Sequence, residues 1–228
     1  MKILILGAGY TGLRAALDLD DRLRADGRAA EVTLVDQFPY HQLIQVLHLT
    51  AADAQPDEDA IYELAPLLRD TAVRYVQGRV TRISALERSV ALDGDTTLAY
   101  DRLVIALGAE TAYGGVPGAR EHSLPLRSYP HALRIREHVR AQFAAAARSA
   151  DPREQRTLMT IAIVGGGYTG CQLAGELAAW VDDLCAETAA PPGEARIALL
   201  DRGPLLLRQF GEWATREAER VLDGMGVS

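Results

Sequence analysis

The sequence predicts an α/β fold in which two parallel strand–helix–strand units are separated by a small antiparallel meander. Three observations support this prediction. A glycine-rich segment occurs twice, 158 residues apart, and each copy follows a short apolar run. Each copy then precedes an Ala- and Leu-rich stretch with helical spacing and a second apolar run that ends in an acidic residue. Buried strands that alternate with helices in this way are typical of a parallel sheet covered by helices.

The first unit is predicted over residues 2–36. A strand is expected at residues 2–6, and the segment GAGYTG at residues 7–12 is expected to form a tight turn into a helix. The apolar run at 32–35 is expected to form the second strand, with Asp36 at its tip. Short β-branched and apolar runs bounded by turn residues are typical of buried strands.

The middle of the chain is predicted to hold five further strands. The turn at 93–95 separates two alternating runs, which indicates an antiparallel meander at about residues 80–100. The Gly- and Pro-rich stretch 114–118 is expected to be the loop between two domains, residues 1–116 and residues 117–228. The predicted strands are 73–76, 80–83, 89–92, 97–100 and 103–106.

The second unit repeats the pattern of the first. A helix with an apolar stripe is expected at 131–149, and the polar stretch 150–156 is expected to be a linker. The segment GGGYTG at residues 165–170 corresponds to the first glycine-rich segment, and Asp201 takes the place of Asp36. The remaining predicted elements are strands at 160–164 and 197–201 and a last helix from about 211 to 223.

The repeated GxGxxG spacing has a specific physical use. Its first glycine makes the turn, its second lets a pyrophosphate approach the backbone, and its third lets the helix pack against the strand. The helix start offers free N–H groups and a positive dipole end to phosphates. An acid at the tip of the next strand, here Asp36 and Asp201, can accept hydrogen bonds from ribose hydroxyls. The chain is therefore predicted to hold two Rossmann-like dinucleotide-binding units.

Two dinucleotide sites on one chain imply two cofactors whose reactive rings meet. A flavin beside a nicotinamide makes hydride transfer the natural reaction, and that step needs no protein acid or base. No catalytic residue is therefore predicted. The carboxylate of Asp201 repels a 2′-phosphate and so favours NADH over NADPH, although Arg202 beside it can pair with such a phosphate.

Composition and charge exclude several other classes of protein. The 228 residues carry 24 Lys plus Arg against 31 Asp plus Glu, a formal charge of −7, which disfavours binding to nucleic acid or to an anionic lipid surface. The two cysteines cannot form a disulfide framework, and no metal site is predicted because His and Cys lack ligand spacing. The N-terminal apolar run is too short for a signal peptide or a membrane span, so a cytoplasmic chain is expected.

The residues resemble the two-dinucleotide-domain flavoproteins, and among them the type II NADH dehydrogenases (NADH:quinone oxidoreductases). Besides the two fingerprints, the similarity rests on the segments DQFPYH at 36–41, GRV at 78–80, YDRLVIALG at 100–108 and LAGEL at 173–177. The resemblance covers essentially the whole chain. It implies an FAD/NAD(P)-binding domain fold in which hydride passes from NADH to FAD and electrons pass to a quinone or another small acceptor.

The resemblance also implies the residues of both sites. Gln172 stands where the family usually has a glutamate directed at the nicotinamide end, so it is a candidate nicotinamide contact. FAD is expected at Gly7, Ala8, Gly9, Tyr10, Thr11, Gly12, Asp36, Gln37, His41, Val80, Ala106 and Gly108, and NADH at Gly165, Gly167, Tyr168, Thr169, Gly170, Gln172 and Asp201.

Other interpretations and partners are also to be weighed. The family continues for well over a hundred residues beyond residue 228, so the fold is expected to be incomplete at its C-terminus. Membrane association, peripheral on the inner face, is expected only through that further region, and a homo-oligomer is possible. The alternatives are a non-catalytic nucleotide-binding module or sensor and a ferredoxin- or rubredoxin-type reductase; residues 40–41 and the loop near His122 favour the dehydrogenase.

Overall fold

A computed structural model describes all 228 residues and contains eleven strands. The strands at 2–6, 160–164 and 89–92 begin and end at the predicted residues, and the other predicted strands differ from their observed bounds by one residue at either end. They are β1 Lys2–Leu6, β2 Glu31–Asp36, β3 Tyr40–Gln42, β4 Ile61–Glu63, β5 Arg74–Gln77, β6 Val80–Ser84, β7 Ser89–Leu92, β8 Thr97–Ala99, β9 Arg102–Ile105, β10 Thr160–Val164 and β11 Arg196–Leu200.

Eight α-helices and three short 3₁₀ helices complete the secondary structure. No helix combines the length and the apolar character needed to cross a membrane. The α-helices are α1 Tyr10–Ala25, α2 Leu47–Ala51, α3 Leu64–Leu67, α4 Ala119–His122, α5 Tyr129–Arg148, α6 Pro152–Leu158, α7 Tyr168–Thr188 and α8 Glu212–Gly224.

The first compact unit comprises residues 1–42 and 61–112. Its main sheet is parallel with the strand order β5-β2-β1-β9, so the carboxyl ends of all four strands meet at one edge. β1 lies in the middle of this sheet, and Ile5 and Leu6 are completely buried there. The predicted antiparallel meander is confirmed as the separate sheet β6-β7-β8. This order places the first glycine-rich segment, which directly follows β1, at the centre of the carboxyl edge.

The second compact unit comprises residues 43–60 and 113–228. Its sheet pairs β10 with β11 in parallel, and Ile197 of β11 also forms a parallel bridge with Val227. The apolar stripe predicted for α5 is buried, including Phe143, which is completely buried. The core of this unit is formed by α5, α7 and α2 together with the two strands.

Residues 43–60 pack within the second unit although they lie early in the sequence. Arg136 of α5 contacts this segment, since its guanidinium forms ion pairs with Asp53 at 2.9 Å and Asp57 at 2.8 Å. Leu47 and Ala51 of α2 are buried in the core of the unit. The boundary between two cofactor domains at residues 116 and 117 stays a prediction. Any division of the chain into two domains has to account for residues 43–60, which belong to the second compact unit.

The prediction of a linker at residues 150–156 is wrong. These residues begin the helix α6, for which Asp151 is the N-cap: its carboxylate accepts a hydrogen bond from the backbone N–H of Arg153 at 2.9 Å. Pro152 occupies the first turn, where its missing N–H costs nothing. The segment is polar because most residues of this helix are exposed. The N-cap residue Asp151 and the proline after it indicate the helix better than the composition does.

Candidate functional site

The first glycine-rich loop leaves β1 at Gly7. Its backbone φ of 98° is an angle that residues with a side chain rarely adopt. The Gly7 N–H donates to the Val35 carbonyl oxygen at 2.7 Å, which ties the loop to β2. A Cβ at Gly7 would lie 2.3 Å from the Ala106 carbonyl oxygen, and a Cβ at Gly12 would lie 1.7 Å from the Gly7 carbonyl oxygen. The backbone of the chain itself therefore requires glycine at these two positions.

Gly9 is different, because nothing in the chain requires a glycine there. Its φ of −69° and ψ of −173° suit any amino acid. A Cβ at this position would meet no atom within 4 Å. The open space in front of Gly9 borders the start of α1, where helical N–H groups lack intrahelical acceptors. The loop thus leaves room and donors for an anionic group that is not part of the protein.

The second loop repeats this geometry. Gly165 has a φ of 120°, and its N–H donates to the Leu200 carbonyl oxygen at 2.7 Å. A Cβ at Gly170 would lie 1.8 Å from the Gly165 carbonyl oxygen. Gly167, like Gly9, has ordinary dihedral angles (φ −82°, ψ −175°) and open space where a Cβ would be. Both loops therefore show the same division between glycines that the fold needs and one that it does not.

Each predicted acid is fixed against its own loop. Asp36 accepts hydrogen bonds from the backbone N–H of Ala8 at 2.7 Å and of Phe38 at 2.9 Å. Asp201 accepts from the N–H of Gly203 and of Gly166, both at 2.7 Å. Every carboxylate oxygen keeps a further lone pair for a ribose hydroxyl.

The backbone hydrogen bonds also affect the acidity of Asp201. The N–H groups of Gly203 and Gly166, followed by the charges of Arg208 and Arg202, lower the pKa of the Asp201 carboxyl below its ordinary value. The group is consequently a carboxylate at neutral pH.

A sequence profile described as pyridine nucleotide-disulphide oxidoreductase matches residues 1–228, the full length of the chain. The chain belongs to this family. Among curated relatives, the type II NADH:quinone oxidoreductase of Staphylococcus haemolyticus is 28% identical over 228 residues, and that of Staphylococcus epidermidis is 29% identical. Each alignment covers 99% of this chain and 55% of the relative, so the chain spans about half the length of these proteins.

Solved structures of this fold are also similar. The NDH2 of Plasmodium falciparum in complex with NADH superimposes with a TM-score of 0.89 at 20% identity, covering 100% of this chain and 47% of that one. A sulfide:quinone oxidoreductase from Aquifex aeolicus gives a TM-score of 0.72 at 18% identity, covering 50% of its chain. These structural matches confirm the predicted fold, and the family profile together with the curated relatives confirms the predicted resemblance.

His41 supports the first loop from behind. The side chain is buried, and its Nδ1 lies 2.9 Å from the Ala8 carbonyl oxygen. Because a carbonyl oxygen only accepts, Nδ1 carries the proton of this hydrogen bond. The ring of Tyr10 meets the imidazole edge-on, with 4.8 Å between the ring centroids. His41 therefore holds the loop in position, whatever further contact it makes.

The other predicted residues of the first site lie after β9, after β2, at the start of β6 and in the first turn of α1. Ala106 follows β9, and its N–H donates to the Leu6 carbonyl oxygen at 2.8 Å, which brings Ala106 against Gly7. Gly108 lies two residues further and has a φ of 77°. The Gln37 carbonyl oxygen accepts from the Gln77 side chain at 3.2 Å. Val80 begins β6 of the meander, and Thr11 lies exposed in the first turn of α1.

In the second site, α7 begins with the predicted residues Tyr168 and Thr169, and Gln172 follows in its second turn. The Tyr168 ring lies near the ring of Phe210, with 6.4 Å between centroids. Phe210 was not predicted to be close to the second loop. It belongs to a segment, residues 202–211, that we call the covering loop.

The covering loop is the feature that sequence reasoning missed. The Leu207 N–H donates to the Gly166 carbonyl oxygen at 2.9 Å. A Cβ at Gly166 would lie 2.6 Å from a methyl group of Leu206 and 3.0 Å from the Asp201 Cβ, so a side chain at this position would displace Leu206. The buried hydroxyl of Thr215 donates to the Leu206 carbonyl oxygen at 2.5 Å and ties the loop to α8. The one available signal was Gly166, the middle one of three consecutive glycines, where the first copy has Ala8.

Proposed function

We propose that this chain supplies the FAD-binding and NADH-binding loops of a type II NADH:quinone oxidoreductase. The observation that carries the proposal is the pair Gly9 and Gly167. Neither the backbone conformation nor the packing of the chain accounts for glycine at these positions. A pyrophosphate seated against each loop accounts for both. The curated relatives bear the same activity in their names, and the chain spans about half of their length.

In this proposal the first loop holds FAD. The free N–H groups at the start of α1 bind the pyrophosphate, and the closest approach is at Gly9. Asp36, already oriented by Ala8 and Phe38, accepts hydrogen bonds from the adenosine ribose. His41 keeps the loop in its binding conformation. Ala8, Tyr10, Thr11, Gln37, Val80, Ala106 and Gly108 complete the proposed contacts around Gly7, Gly9 and Gly12.

The second loop holds NADH in the same manner. Gly167 takes the role of Gly9, and Asp201 takes that of Asp36. Gln172 is the proposed contact at the nicotinamide end, and as a neutral amide it can both donate and accept a hydrogen bond. Tyr168 and Thr169 provide backbone N–H groups at the start of α7, between Gly165 and Gly170.

Held by the first loop, FAD would supply two-electron chemistry, as the acceptor of a hydride from NADH and the donor of electrons to a further acceptor. With a quinone as acceptor, NADH, one proton and the quinone give NAD⁺ and the hydroquinone. The residues of this chain bind and orient the two dinucleotides, and none of them has to donate or remove a proton in the hydride step. Association with a membrane surface and assembly into a homo-oligomer belong to the same proposal for the whole protein.

Flavin retention and flavin reduction test this proposal. The purified chain is incubated with FAD, freed of excess cofactor, and titrated anaerobically with NADH while the visible flavin absorbance is followed. Gly9→Val is expected to abolish flavin retention, because its side chain occupies the phosphate position. Gly167→Val is expected to retain flavin and to lose the bleaching caused by NADH.

The two variants serve as controls for each other, since each alters one loop only. Loss of flavin from the Gly167→Val chain alone, or full flavin content in the Gly9→Val chain, contradicts the assignment of the loops. A wild-type chain that binds neither flavin nor NADH contradicts the proposed function itself.

A further inference from the structure

The turn that follows Asp36 is held by hydrogen bonds on both sides of one residue, Phe38. The Phe38 N–H donates to the Asp36 carboxylate at 2.9 Å. The Phe38 carbonyl oxygen accepts from the hydroxyl of Tyr75 at 2.7 Å. The next residue is Pro39, which has no N–H, so this carbonyl is the only group through which a hydrogen bond can hold the Phe38–Pro39 peptide. Tyr75 supplies that hydrogen bond.

Tyr75 reaches the turn from within the parallel sheet of the first unit. It lies on β5 and pairs with Leu34 of β2, two residues before Asp36. Its ring is partly buried and packs against the apolar core of this unit. The hydroxyl is therefore carried on a side chain whose ring is fixed by packing.

The hydroxyl donates to Phe38 in preference to another nearby acceptor. The Asp36 carbonyl oxygen lies 3.4 Å from it, but that oxygen already accepts from the Gly78 N–H at 2.9 Å. The shorter contact, to Phe38, therefore takes the proton. Burial of the side chain and then the negative charge of Asp36 raise the pKa of Tyr75 to about 12. The hydroxyl consequently remains a donor at neutral pH.

The direction of the Asp36 carboxylate depends on such support. Rotation of a carboxylate about its bond to the side chain has broad energy minima, so rotamer preference alone does not fix its plane. The Ala8 N–H donates to one oxygen at 2.7 Å, and the Phe38 N–H donates to the other at 2.9 Å. Two donors on two oxygens fix the plane, whereas a carboxylate with one donor is free to turn about the remaining hydrogen bond.

We infer that Tyr75 is a positioning residue of the first site, which holds Phe38 and thereby keeps the Asp36 carboxylate turned toward the adenosine ribose of FAD. This inference rests on the proposed function, in which the first loop holds FAD. Tyr75 belongs to the first compact unit. Its loss is therefore expected to affect the binding of FAD and not that of the nicotinamide dinucleotide.

Equilibrium binding of FAD to the whole chain, followed by flavin fluorescence, tests the inference in Tyr75→Phe. This change removes one oxygen atom and keeps the packed ring, so the variant is expected to fold, which urea unfolding without cofactor verifies. FAD binding is expected to weaken about fivefold, because one hydrogen bond is lost. The binding of NAD⁺, measured by calorimetry, is expected to stay within about twofold of the wild-type value.

Tyr100→Phe is the matched control. The Tyr100 hydroxyl also donates to a backbone carbonyl oxygen in the first unit, that of Ser84 at 3.4 Å, and its ring packs against a buried cluster of the same unit. The control removes the same atom at a position away from Asp36. It is expected to leave FAD binding unchanged.

A second background separates positioning from a general loss of structure. Asp36→Ala is expected to weaken FAD binding about tenfold or more, because the charged acceptor of the ribose is gone. In the Asp36→Ala chain, Tyr75→Phe is expected to change FAD binding by less than about twofold, since no carboxylate is left to orient. A tyrosine that only stabilises the loop would cost the same factor in both backgrounds.

The outcomes separate the inference from the proposed function. Wild-type FAD affinity in Tyr75→Phe, or an equal loss with and without the Asp36 carboxylate, shows that the inference is wrong while the FAD site stands. A Tyr75→Phe chain that does not fold also contradicts the inference, because the hydroxyl then serves the fold and not the site. If the wild-type chain binds no FAD, the proposed function fails, and the inference fails with it.

Discussion

The two glycine-rich loops of this chain have the same backbone design but different surroundings. In the first loop Ala8 has room for its side chain, and the buried His41 supports the loop from behind. In the second loop Gly166 is enclosed by Asp201 and Leu206, because the covering loop packs on it. In the proposed function the shared part of the loops meets the pyrophosphate, and the part that differs lies beside the adenosine ribose. The comparison therefore separates the residues that the two proposed sites share from the residues that distinguish them.

The largest expected effect comes from the third glycine of either loop. Gly12→Ala and Gly170→Ala place a Cβ within 2 Å of a backbone carbonyl oxygen, at 1.7 and 1.8 Å. Backbone has to move to relieve this overlap, so each change is expected to lower the free energy of unfolding by about 3 kcal/mol. Urea unfolding followed by circular dichroism measures the loss. Equal stability of both variants and the wild type would show that the helices do not pack as described.

A smaller change in the free energy of unfolding is expected at the one position where the two loops differ, which is Ala8 in the first loop and Gly166 in the second. Gly166→Ala is expected to lower the free energy of unfolding by about 1–3 kcal/mol, since the new methyl group meets Leu206 and Asp201. The reverse change, Ala8→Gly, removes a buried methyl group without any clash and is expected to cost about 1 kcal/mol. If Gly166→Ala is the milder of the two in urea unfolding, the covering loop does not pack on Gly166.

The Asp201 carboxyl makes the stability of the folded chain depend on pH. Its pKa is lowered in the folded chain, so its contribution to stability is present above the ordinary value of 3.8 and is lost as the pH falls through the lowered folded value. In Asp201→Asn this part of the acid destabilisation is expected to disappear. Thermal unfolding of wild type and variant at pH 7 and at acidic pH measures it. Parallel curves for the two chains would show that the carboxylate is not held by Gly203 and Gly166.

The smallest expected effect concerns the attachment of the covering loop to α8. Thr215→Val keeps the shape of a buried side chain but removes the hydroxyl that donates to Leu206. The change is expected to lower the free energy of unfolding by about 1 kcal/mol and to leave flavin retention by the first loop unchanged. Thr50→Val provides a comparison at another buried threonine of the same unit.

The glycine spacing predicted the architecture because the turn, the close helix packing and the strand tip that it requires all lie near one another in the sequence. The strand before each loop, the helix after it and the acid at the next strand tip follow from the residues themselves, and each lies where it was expected. The short elements between Tyr40 and Leu67 were not predicted, since three-residue strands such as β3 and β4 depend on each other for pairing and on packing for stability. The helix α6 was missed because its exposed residues resemble a linker.

Candidate site residues could be chosen from the sequence at positions where the motif gives the residue type a single physical role. Gly9, Gly167, Asp36 and Asp201 could be chosen from spacing alone. The covering loop could not, because its ten residues have no periodicity and its position depends on hydrogen bonds to Gly166 and Thr215 that form only in the folded chain.

The central claim is that Gly9 and Gly167 are glycines for the sake of a ligand and not for the fold. A paired measurement on Gly9→Ala, Gly167→Ala and the control Gly224→Ala tests it most directly, since a Cβ at all three positions would enter open space. Each variant is unfolded in urea without cofactor and titrated with FAD and NADH. Gly224→Ala is expected to gain slightly in stability, and Gly9→Ala and Gly167→Ala, which lie at helix N-caps where glycine is favoured over alanine, are expected to lose no more than about 1 kcal/mol. Gly9→Ala is expected to weaken only FAD binding and Gly167→Ala only NADH binding, each by about tenfold or more. Wild-type affinities in both variants, or a loss of stability in place of a loss of binding, would contradict the claim.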